Sequence, residues 1–381
     1  MNNSINFNNP THLYLQIVNA IKEKIEKGEL EPGDQLGSQL DLAKQYSVSK
    51  ITIKKACETL VNEGILFTRV GLGTFVADKQ SKKNNFLKQK TIGLVLRDLH
   101  HPYFSMVVKS IEKRAYELGF SILLSDTSGN IEKEENQINH FKELGVNGLI
   151  IASLSLEFRA TKYIEDLHRI NFPYVMVSYI HDPDYWYVGS DHEYGGFIAT
   201  EHLVKLGRKS IGYVHAERGN LLSEVRKNGY YRALLENDIV YDHDLVFYAS
   251  MDSYSFGSDR YELGLQFGKN FSKLNKKPEA FVFYNDIVAL GFMQGALDEG
   301  IKIPDDIAVI GYDDSMMSRY AAVPLTTVHQ PVDNIGKIVV EVIQKRIDNI
   351  GVGNRTILKP SLIIRESCGA KIYNMQLLDT E

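Results

Sequence analysis

The sequence predicts an α/β protein in two parts: a small helix-turn-helix head closed by a β-hairpin, and a larger body of two doubly wound parallel-sheet lobes. Three observations carry that reading. Residues 36–76 hold two short helical patterns separated by a tight turn and followed by glycine-punctuated strand composition. From Thr91 onward, short continuous apolar runs alternate with amphipathic helical stretches, the mark of strands buried on both faces. The chain has 381 residues, 44% of them hydrophobic and 24% charged, enough for two or three domains.

In the head, Thr11 to Lys27 reads as a helix with Leu13, Ile17, Ala20, Ile21 and Ile25 on one stripe. Ser38 can cap the next helix, whose Leu42, Ala43 and Tyr46 recur at helical spacing; the turn follows at Ser47-Val48-Ser49. Ser49 can cap a third helix that buries Ile53, Ala56, Cys57 and Leu60, with Gly64 ending it. The opposite face of this helix presents Lys50 and Lys54 one turn apart, beside Thr52 and Lys55. Laid in a major groove, such a face aims cations and a hydroxyl at phosphates and base edges; a solvated basic face is the alternative. The segments Ile65 to Arg69 and Thr74 to Val76 have strand composition, and Gly71 and Gly73 allow a tight turn between them. A hairpin of this kind can follow a phosphate ridge or enter a minor groove through Arg69, Gly71, Gly73 and Thr74.

The order Gly28-Glu29-Leu30-Glu31-Pro32-Gly33, Leu36, Val48-Ser49-Lys50-Ile51-Thr52-Ile53-Lys54-Lys55-Ala56, Glu63-Gly64-Ile65 and Gly71-Leu72-Gly73-Thr74-Phe75-Val76 resembles the winged helix-turn-helix head of GntR-family transcription regulators. The resemblance implies binding to a double-stranded DNA operator, with Ser38, Ser49, Lys50, Thr52, Lys54, Lys55, Arg69, Gly71, Gly73 and Thr74 as contact positions. Lysines stand at 50 and 54 where the family has arginines, which weakens bidentate pairing to guanine and shifts those contacts toward phosphate. Gly37, Gln39 and Leu40 also depart from the family's proline, glutamate and arginine, so other members' operators do not transfer.

Net charge is −5, yet it is divided along the chain. Residues 1–90 carry 13 Lys/Arg against 9 Asp/Glu, a net +4, while residues 91–381 carry 30 against 39, a net −9. Between Ser47 and Lys90 the count is 9 against 3, so the positive excess lies where a nucleic-acid contact needs it. The head is read as residues 1–78 and a basic linker as 79–90. A linker of this composition could span about 40 Å when extended, letting two heads reach separated half-sites or acting only as a solvated spacer.

The body begins with a strand at Thr91–Leu96, a helix from Phe104 to Leu118, a strand from Ser121 and a helix from Ile131 to Leu144. Next come a strand from Gly148, a helix from Ala160 to Arg169 and a strand from Tyr174. A second series opens near Val188 and adds helices at 195–206, 223–236, 258–269 and 288–299 between strands at 210–214, 245–248, 280–283 and 308–311. Two wound halves of similar size make a bilobal body over 91–370. Lobe 1 is read as about 91–185 and 330–352, lobe 2 as about 186–329 and 353–370. Ligands bind at the carboxyl ends of such strands, so a cleft between the lobes is the expected site.

This region resembles the effector-binding domain of the LacI/GalR repressor family, which has the periplasmic-binding-protein-like fold. The residues that carry the likeness include His101-Pro102-Tyr103-Phe104, Ser190-Asp191, Arg226 with Gly229-Tyr230, Asn285-Asp286, Gly311-Tyr312-Asp313-Asp314 and Pro324-Leu325-Thr326-Thr327. The pairing of such a body with such a head resembles the arabinose-repressor type of regulator. It implies a homodimer whose two heads read a roughly palindromic operator, with a small-molecule effector, a monosaccharide, in the cleft; a purine or a protein corepressor is the alternative.

Within the cleft, Tyr103 and Phe104 offer aromatic faces for a sugar ring or a flat base, or else are ordinary core aromatics. Arg226 sits where the family has an arginine that forks two hydroxyls or a carboxylate. Asp286 can accept two adjacent hydroxyls, or cap the helix that follows. Tyr254 and Phe256 occupy the place of an aromatic floor, and Asp126, Asp191 and His329 are lesser candidates. Asp313-Asp314 reads as a turn pair rather than a metal site. Phosphate-loop, serine-elbow and metal-spaced motifs are all missing from the sequence, so neither an enzyme, a cofactor nor a metal is expected. The chain has no apolar run of the roughly 18 residues that a membrane helix needs and no signal peptide, which points to the cytoplasm. Cys57 and Cys368 read as small buried hydrophobes.

Overall fold

The structure, a computed structural model, describes residues 11–63, 65–69, 73–77, 90–153, 160–177, 179–215, 218–250 and 259–370. It divides into a head, Met1–Lys88, and a body that carries nearly all of the rest. The linker read at 79–90 lies outside the described residues except for Lys90.

The head is built on α1 (Leu13–Glu26), α2 (Gln39–Tyr46) and α3 (Lys50–Asn62). Ile17, Val18 and Ile21 of α1 pack with Leu42 and Tyr46 of α2 and with Ile53, Ala56, Cys57 and Leu60 of α3. These are the stripes that helical spacing dictates. Ser38 caps α2 by accepting from the Asp41 N–H at 3.2 Å, and Ser49 caps α3 by accepting from the Thr52 N–H at 3.1 Å. Between them Ser47 takes a left-handed conformation, φ 52°, which turns the chain sharply enough to set α3 across α2. Gly64, expected to end α3, lies outside the described residues.

Strands β1 (Leu66–Arg69) and β2 (Gly73–Val76) pair antiparallel, with Phe67 opposite Phe75 and their rings stacked at 5.5 Å. The chain before α2 adds a third course: the Leu36 N–H donates to the Thr74 carbonyl at 2.8 Å and the Val76 N–H to the Asp34 carbonyl at 2.8 Å. Gly73, at φ 120°, lies so close to Gln35 that an added Cβ would come 2.6 Å from its amide nitrogen. The hairpin is thereby tied to the chain that enters α2.

The body's chain runs β3 (Thr91–Leu96), α4 (Pro102–Glu117), β4 (Ser121–Asp126), α5 (Ile131–Leu144), β5 (Gly148–Ala152), α6 (Lys162–Arg169), β6 (Tyr174–Met176) and β7 (Tyr187–Ser190). It continues through α7 (His192–Lys205), β8 (Ile211–His215), α8 (Leu221–Glu236), β9 (Val246–Tyr248), α9 (Arg260–Lys269), β10 (Ala280–Phe283), α10 (Asp286–Asp298) and β11 (Ala308–Tyr312). It closes with α11 (Met316–Tyr320), β12 (Thr326–His329), α12 (Val332–Ile347), β13 (Arg355–Leu358) and β14 (Ser361–Ile363). The first sheet has the order β13-β7-β6-β5-β3-β4 and is parallel throughout. The second has the order β14-β12-β11-β10-β8-β9 and is parallel except for β14 at its edge. Inner strands such as β3, β5, β10 and β11 are buried at every residue, as continuous apolar runs between two helical layers must be.

The lobe boundaries differ from those read in the sequence. Tyr187–Ser190 and Arg355–Leu358 pair with each other in the first sheet, so both belong to lobe 1, not lobe 2. The chain changes lobes at Asp191, at Gln330–Pro331 and at Lys359–Pro360. An apolar strand followed by a helix looks the same in either lobe, and only hydrogen bonding decides which sheet it joins.

Two helix pairs of lobe 2 meet backbone to backbone through glycines. On α9 and α10, a Cβ at Gly291 would lie 2.1 Å from the Tyr261 carbonyl oxygen, and one at Gly295 2.2 Å from that of Leu265. On α7 and α8, a Cβ at Gly196 would lie 1.9 Å from the Arg226 carbonyl oxygen. Gly291→Ala therefore forces α9 and α10 apart in a packed interior, and a cost of about 1–3 kcal/mol is expected from urea unfolding. An unchanged midpoint would mean that these helices separate freely.

Candidate functional site

In the head, the outward face of α3 is formed by Lys50, Ile51, Lys54, Lys55 and Glu58, all exposed. Lys54 makes only a loose exposed pair with Glu58 at 3.8 Å, so its ammonium is available at little cost. Lys55 instead leans over the Tyr14 ring, 4.3 Å from its centroid, which draws it toward α1. Thr52 is held by Ser49, their hydroxyls 2.8 Å apart, and Ser38 donates to the Asp41 carboxylate at 2.6 Å. The hydroxyls of Ser38, Ser49 and Thr52 thus serve the helix caps first. Thr74 sits in the hairpin opposite Thr68. Arg69 belongs to β1 but its side chain lies outside the description, and Gly71 lies outside the described residues. One residue escaped the sequence reading: Ile51 is 80% exposed between the two lysines, an apolar side chain with no core to fill. The signal was available, because Ile51 falls off the buried stripe.

In the body, one cavity opens at the carboxyl ends of strands from both sheets, with about 940 Å³ of empty space including its mouth. Lobe 1 contributes Arg97 and Asp98 after β3, His101, Tyr103 and Phe104 at the start of α4, Ser153 after β5 and Tyr179 after β6. Lobe 2 contributes His192 at the start of α7, Asn220 and Arg226 of α8, Arg260 at the start of α9, Asn285 after β10 and Asp313 after β11. Gln330, at the second crossing, lies between them.

Arg226 organises the lobe 2 wall. It is 3% exposed, its guanidinium lies 3.6 Å from the Tyr312 ring centroid, and it donates to the Tyr284 carbonyl and to Asp313 Oδ1, the latter at 3.4 Å. Gln330 Nε2 donates to the same Asp313 oxygen at 2.8 Å. Asp313, at φ 114°, and Asp314, at φ 49°, both stand in left-handed backbone, the turn expected of this pair. The turn aims Asp313 into the cavity and Asp314 away from it, toward Arg365 and His329. Burial raises the Asp313 carboxyl to about 6 against the pull of Arg226.

On the lobe 1 side, Tyr103 and Phe104 meet edge to face at 5.3 Å and are both core members and cavity wall, so both readings of them hold together. His101 caps α4 through Nδ1, which accepts from the Tyr103 N–H at 3.3 Å. Burial, then the charges of Arg97, Arg260 and Arg226, lower this histidine to about 3. His192 is likewise held neutral, by burial and then by Arg226 and Arg97. Several buried polar atoms of the lining have no protein partner among the described residues: His192 Nδ1, Asn285 Nδ2, Gln330 Oε1 and Arg226 Nε. Buried polar atoms are normally paired, and a shared cavity that holds several such atoms is prepared for a polar ligand.

Asp286 is a correction. Asn285, not Asp286, caps α10, accepting from the Val288 N–H at 3.0 Å. Asp286 is the first helical residue, 1% exposed, and lies behind the cavity wall. Its Oδ1 accepts from the Thr327 hydroxyl at 2.5 Å and its Oδ2 from the Ser315 N–H at 2.7 Å. Its carboxylate bolts β12 and α11 to α10 rather than facing ligand hydroxyls. Tyr254 and Phe256 lie outside the described residues. Asp126 accepts from the Ser128 N–H and Asp191 caps α7; with His329 they lie off the cavity lining. Cys57 and Cys368 are free and buried. Among the described residues no helix is long and apolar enough to cross a membrane.

Residues 13–76 match the bacterial regulatory proteins of the gntR family, and residues 200–368 match the periplasmic binding protein-like domain. An arabinose metabolism transcriptional repressor of Halalkalibacterium halodurans is 29% identical over 365 residues, covering 93% of this chain and 96% of the relative. The HTH-type transcriptional repressor PurR of Histophilus somni is 31% identical over 288 residues, covering 73% of this chain and 81% of that repressor. The crystal structure of the transcription regulator CcpA of Lactococcus lactis aligns with a TM-score of 0.64 at 26% identity, over 74% of this chain and 99% of that one. A DNA-reading head joined to a ligand cavity of this build accounts for both sets of likenesses. The chain belongs to the family of bacterial transcriptional repressors with a periplasmic-binding-protein-like body, and carries a gntR-family head in front of it.

Proposed function

We propose that this repressor works in the cytoplasm as a homodimer that controls carbohydrate-utilisation genes, releasing or engaging a palindromic operator when a monosaccharide fills the body cavity. The observation that carries the reading is the cavity itself, lined from both lobes beside two of the three crossings and holding buried polar atoms that a hydroxylated ligand can satisfy. An effector alters operator affinity only by binding one arrangement of the lobes better than another. A tenfold change in operator affinity corresponds to a coupling of about 1.4 kcal/mol. The likeness to the arabinose repressor favours a sugar. The likeness to a purine repressor, together with the aromatic pair Tyr103 and Phe104, makes a flat base the second reading.

On the DNA side, Lys50 and Lys54 are assigned to phosphates or guanine edges, and the exposed Ile51 between them to a thymine methyl group. Lys54→Ala is expected to weaken operator binding and to lower the slope of log affinity against log salt by about 1, with effector affinity unchanged. Fluorescence anisotropy on the operator across a salt series measures this. A variant with the parent's affinity and slope would remove α3 from the DNA contact.

A further inference from the structure

The reading helix carries few of the side chains that tell one base pair from another. From Lys50 to Thr59, α3 holds no arginine, asparagine or glutamine, so it has no planar side chain to fork two groups on a guanine or adenine edge. Thr52 is committed to Ser49, and Lys55 to the Tyr14 ring. Lys50 and Lys54 remain as the outward cations, and a lysine ammonium is a point charge that serves a phosphate as readily as a base. Two large apolar side chains are exposed among the described residues of the head, Ile51 and, at 56%, Leu40. A lone exposed apolar residue is ordinary, but these two share a position. Each stands two residues past the serine that caps its helix, Leu40 on α2 and Ile51 on α3. At about 100° per residue, Ile51 lies nearly opposite the buried Ile53, Ala56 and Leu60, and between Lys54 and Lys55 around the helix axis. The first turn of α2 holds Asp41 and no cation, so it is not built to grip phosphate.

We infer that the head reads its operator by pyrimidine 5-methyl groups, through Ile51 on α3 and Leu40 on α2, and that 5-methylcytosine can stand in for thymine at those positions. This rests on the assignment of α3 to a major groove, and extends the single Ile51 contact to the basis of sequence choice. The C5 methyl of thymine is the one apolar group on the major-groove edge of unmodified DNA, and so the group that an apolar side chain can select. Lys50 and Lys54 hold the helix to the backbone, which supplies affinity but little sequence information. The methyl contacts supply the discrimination. Cytosine presents a hydrogen where thymine presents the methyl; methylation of cytosine adds the same group at the same place in the groove. The modification state of the operator is thereby an input to the head that does not pass through the effector cavity.

The test uses the full-length protein and a duplex that it selects from a random-sequence library. Fluorescence anisotropy compares this duplex with copies that carry deoxyuridine for thymine, first at every position and then singly, and with copies that carry cytosine or 5-methylcytosine at the sensitive positions. Removing a contacted methyl is expected to weaken binding about fourfold at each position, with the salt slope unchanged because no charge is lost. 5-Methylcytosine should bind more tightly than cytosine at the same position by a similar factor. Ile51→Ala should remove the dependence at its thymine and Leu40→Ala at another, each with a melting temperature close to the parent's, since both side chains are exposed. A uracil duplex that the parent binds as tightly as the thymine duplex overturns the inference, and so does a methyl dependence left intact by Ile51→Ala or by Leu40→Ala. If Lys54→Ala still lowers the salt slope, that failure leaves α3 in the groove and strikes only the methyl reading. If Lys54→Ala also matches the parent, the DNA assignment falls with it.

Discussion

Arg226→Ala is expected to abolish the effector response and to destabilise the body by roughly 3–5 kcal/mol, the loss typical of breaking a buried ion pair. The physical reason is the partner left behind. Asp313 is buried, and without the guanidinium its charge keeps, among the described residues, only the Gln330 amide. The Tyr284 carbonyl loses its donor and the Tyr312 ring loses the cation stacked on it. Denaturant unfolding reads the stability term, and anisotropy on the operator with and without effector reads the response. Operator affinity without effector should stay close to the parent's, because Arg226 acts in the body. Arg226→Lys separates the two effects: its ammonium can keep a charge beside Asp313, yet it has no planar fork to span Asp313, the Tyr284 carbonyl and a ligand oxygen at once. Full effector affinity in the lysine variant would exclude bidentate recognition by this residue.

Asp286→Ala is expected to cost about 2–5 kcal/mol by leaving two buried donors, the Thr327 hydroxyl and the Ser315 N–H, without an acceptor. Effector affinity should fall far less than in Arg226→Ala, since Asp286 lies outside the cavity lining. The same carboxyl gives a pH signature. Burial, and then the neighbouring Asp313 charge, raise it from its ordinary 3.8 to about 7. A carboxyl raised in the folded state holds its proton more tightly there, so its contribution to stability is complete below about pH 4 and is lost as pH rises through about 7. His101 and His215, each lowered to about 3 chiefly by burial, act in the opposite sense: their contribution is complete above about pH 6.5 and is lost on acidification. The whole-protein profile mixes the two. Subtracting the Asp286→Asn profile from the parent's isolates the carboxyl, and the difference should decline between pH 4 and 7. A flat difference would mean that Asp286 titrates as an exposed acid.

The fold of both parts was legible because burial leaves a periodic trace. The stripe Ile53, Ala56, Cys57, Leu60 gave α3, and the solid apolar runs of β3, β5, β10 and β11 gave the parallel sheets. Capping was legible too, since Ser38 and Ser49 act within three residues of themselves. Asp286 was misread for a related reason: its local position, just past a strand, is the same as that of Asn285, and only the long-range reach to Thr327 and Ser315 separates structural from exposed.

By itself the sequence determined what local chemistry determines: the elements, their caps, the basic face of the reading helix, and the family likeness that ordered motifs carry. Only the tertiary structure decided which sheet received β7 and β13, and which strand-end residues converge on one cavity. Arg97, His192, Asp313 and Gln330 come from four separate stretches of chain, and no periodicity links them. Helical and strand periods record the burial of neighbours a few residues apart. Convergence at the ends of strands is set instead by hydrogen-bond pairing across the sheets and by the three crossings between lobes, contacts between residues distant in sequence that leave no repeating mark in it.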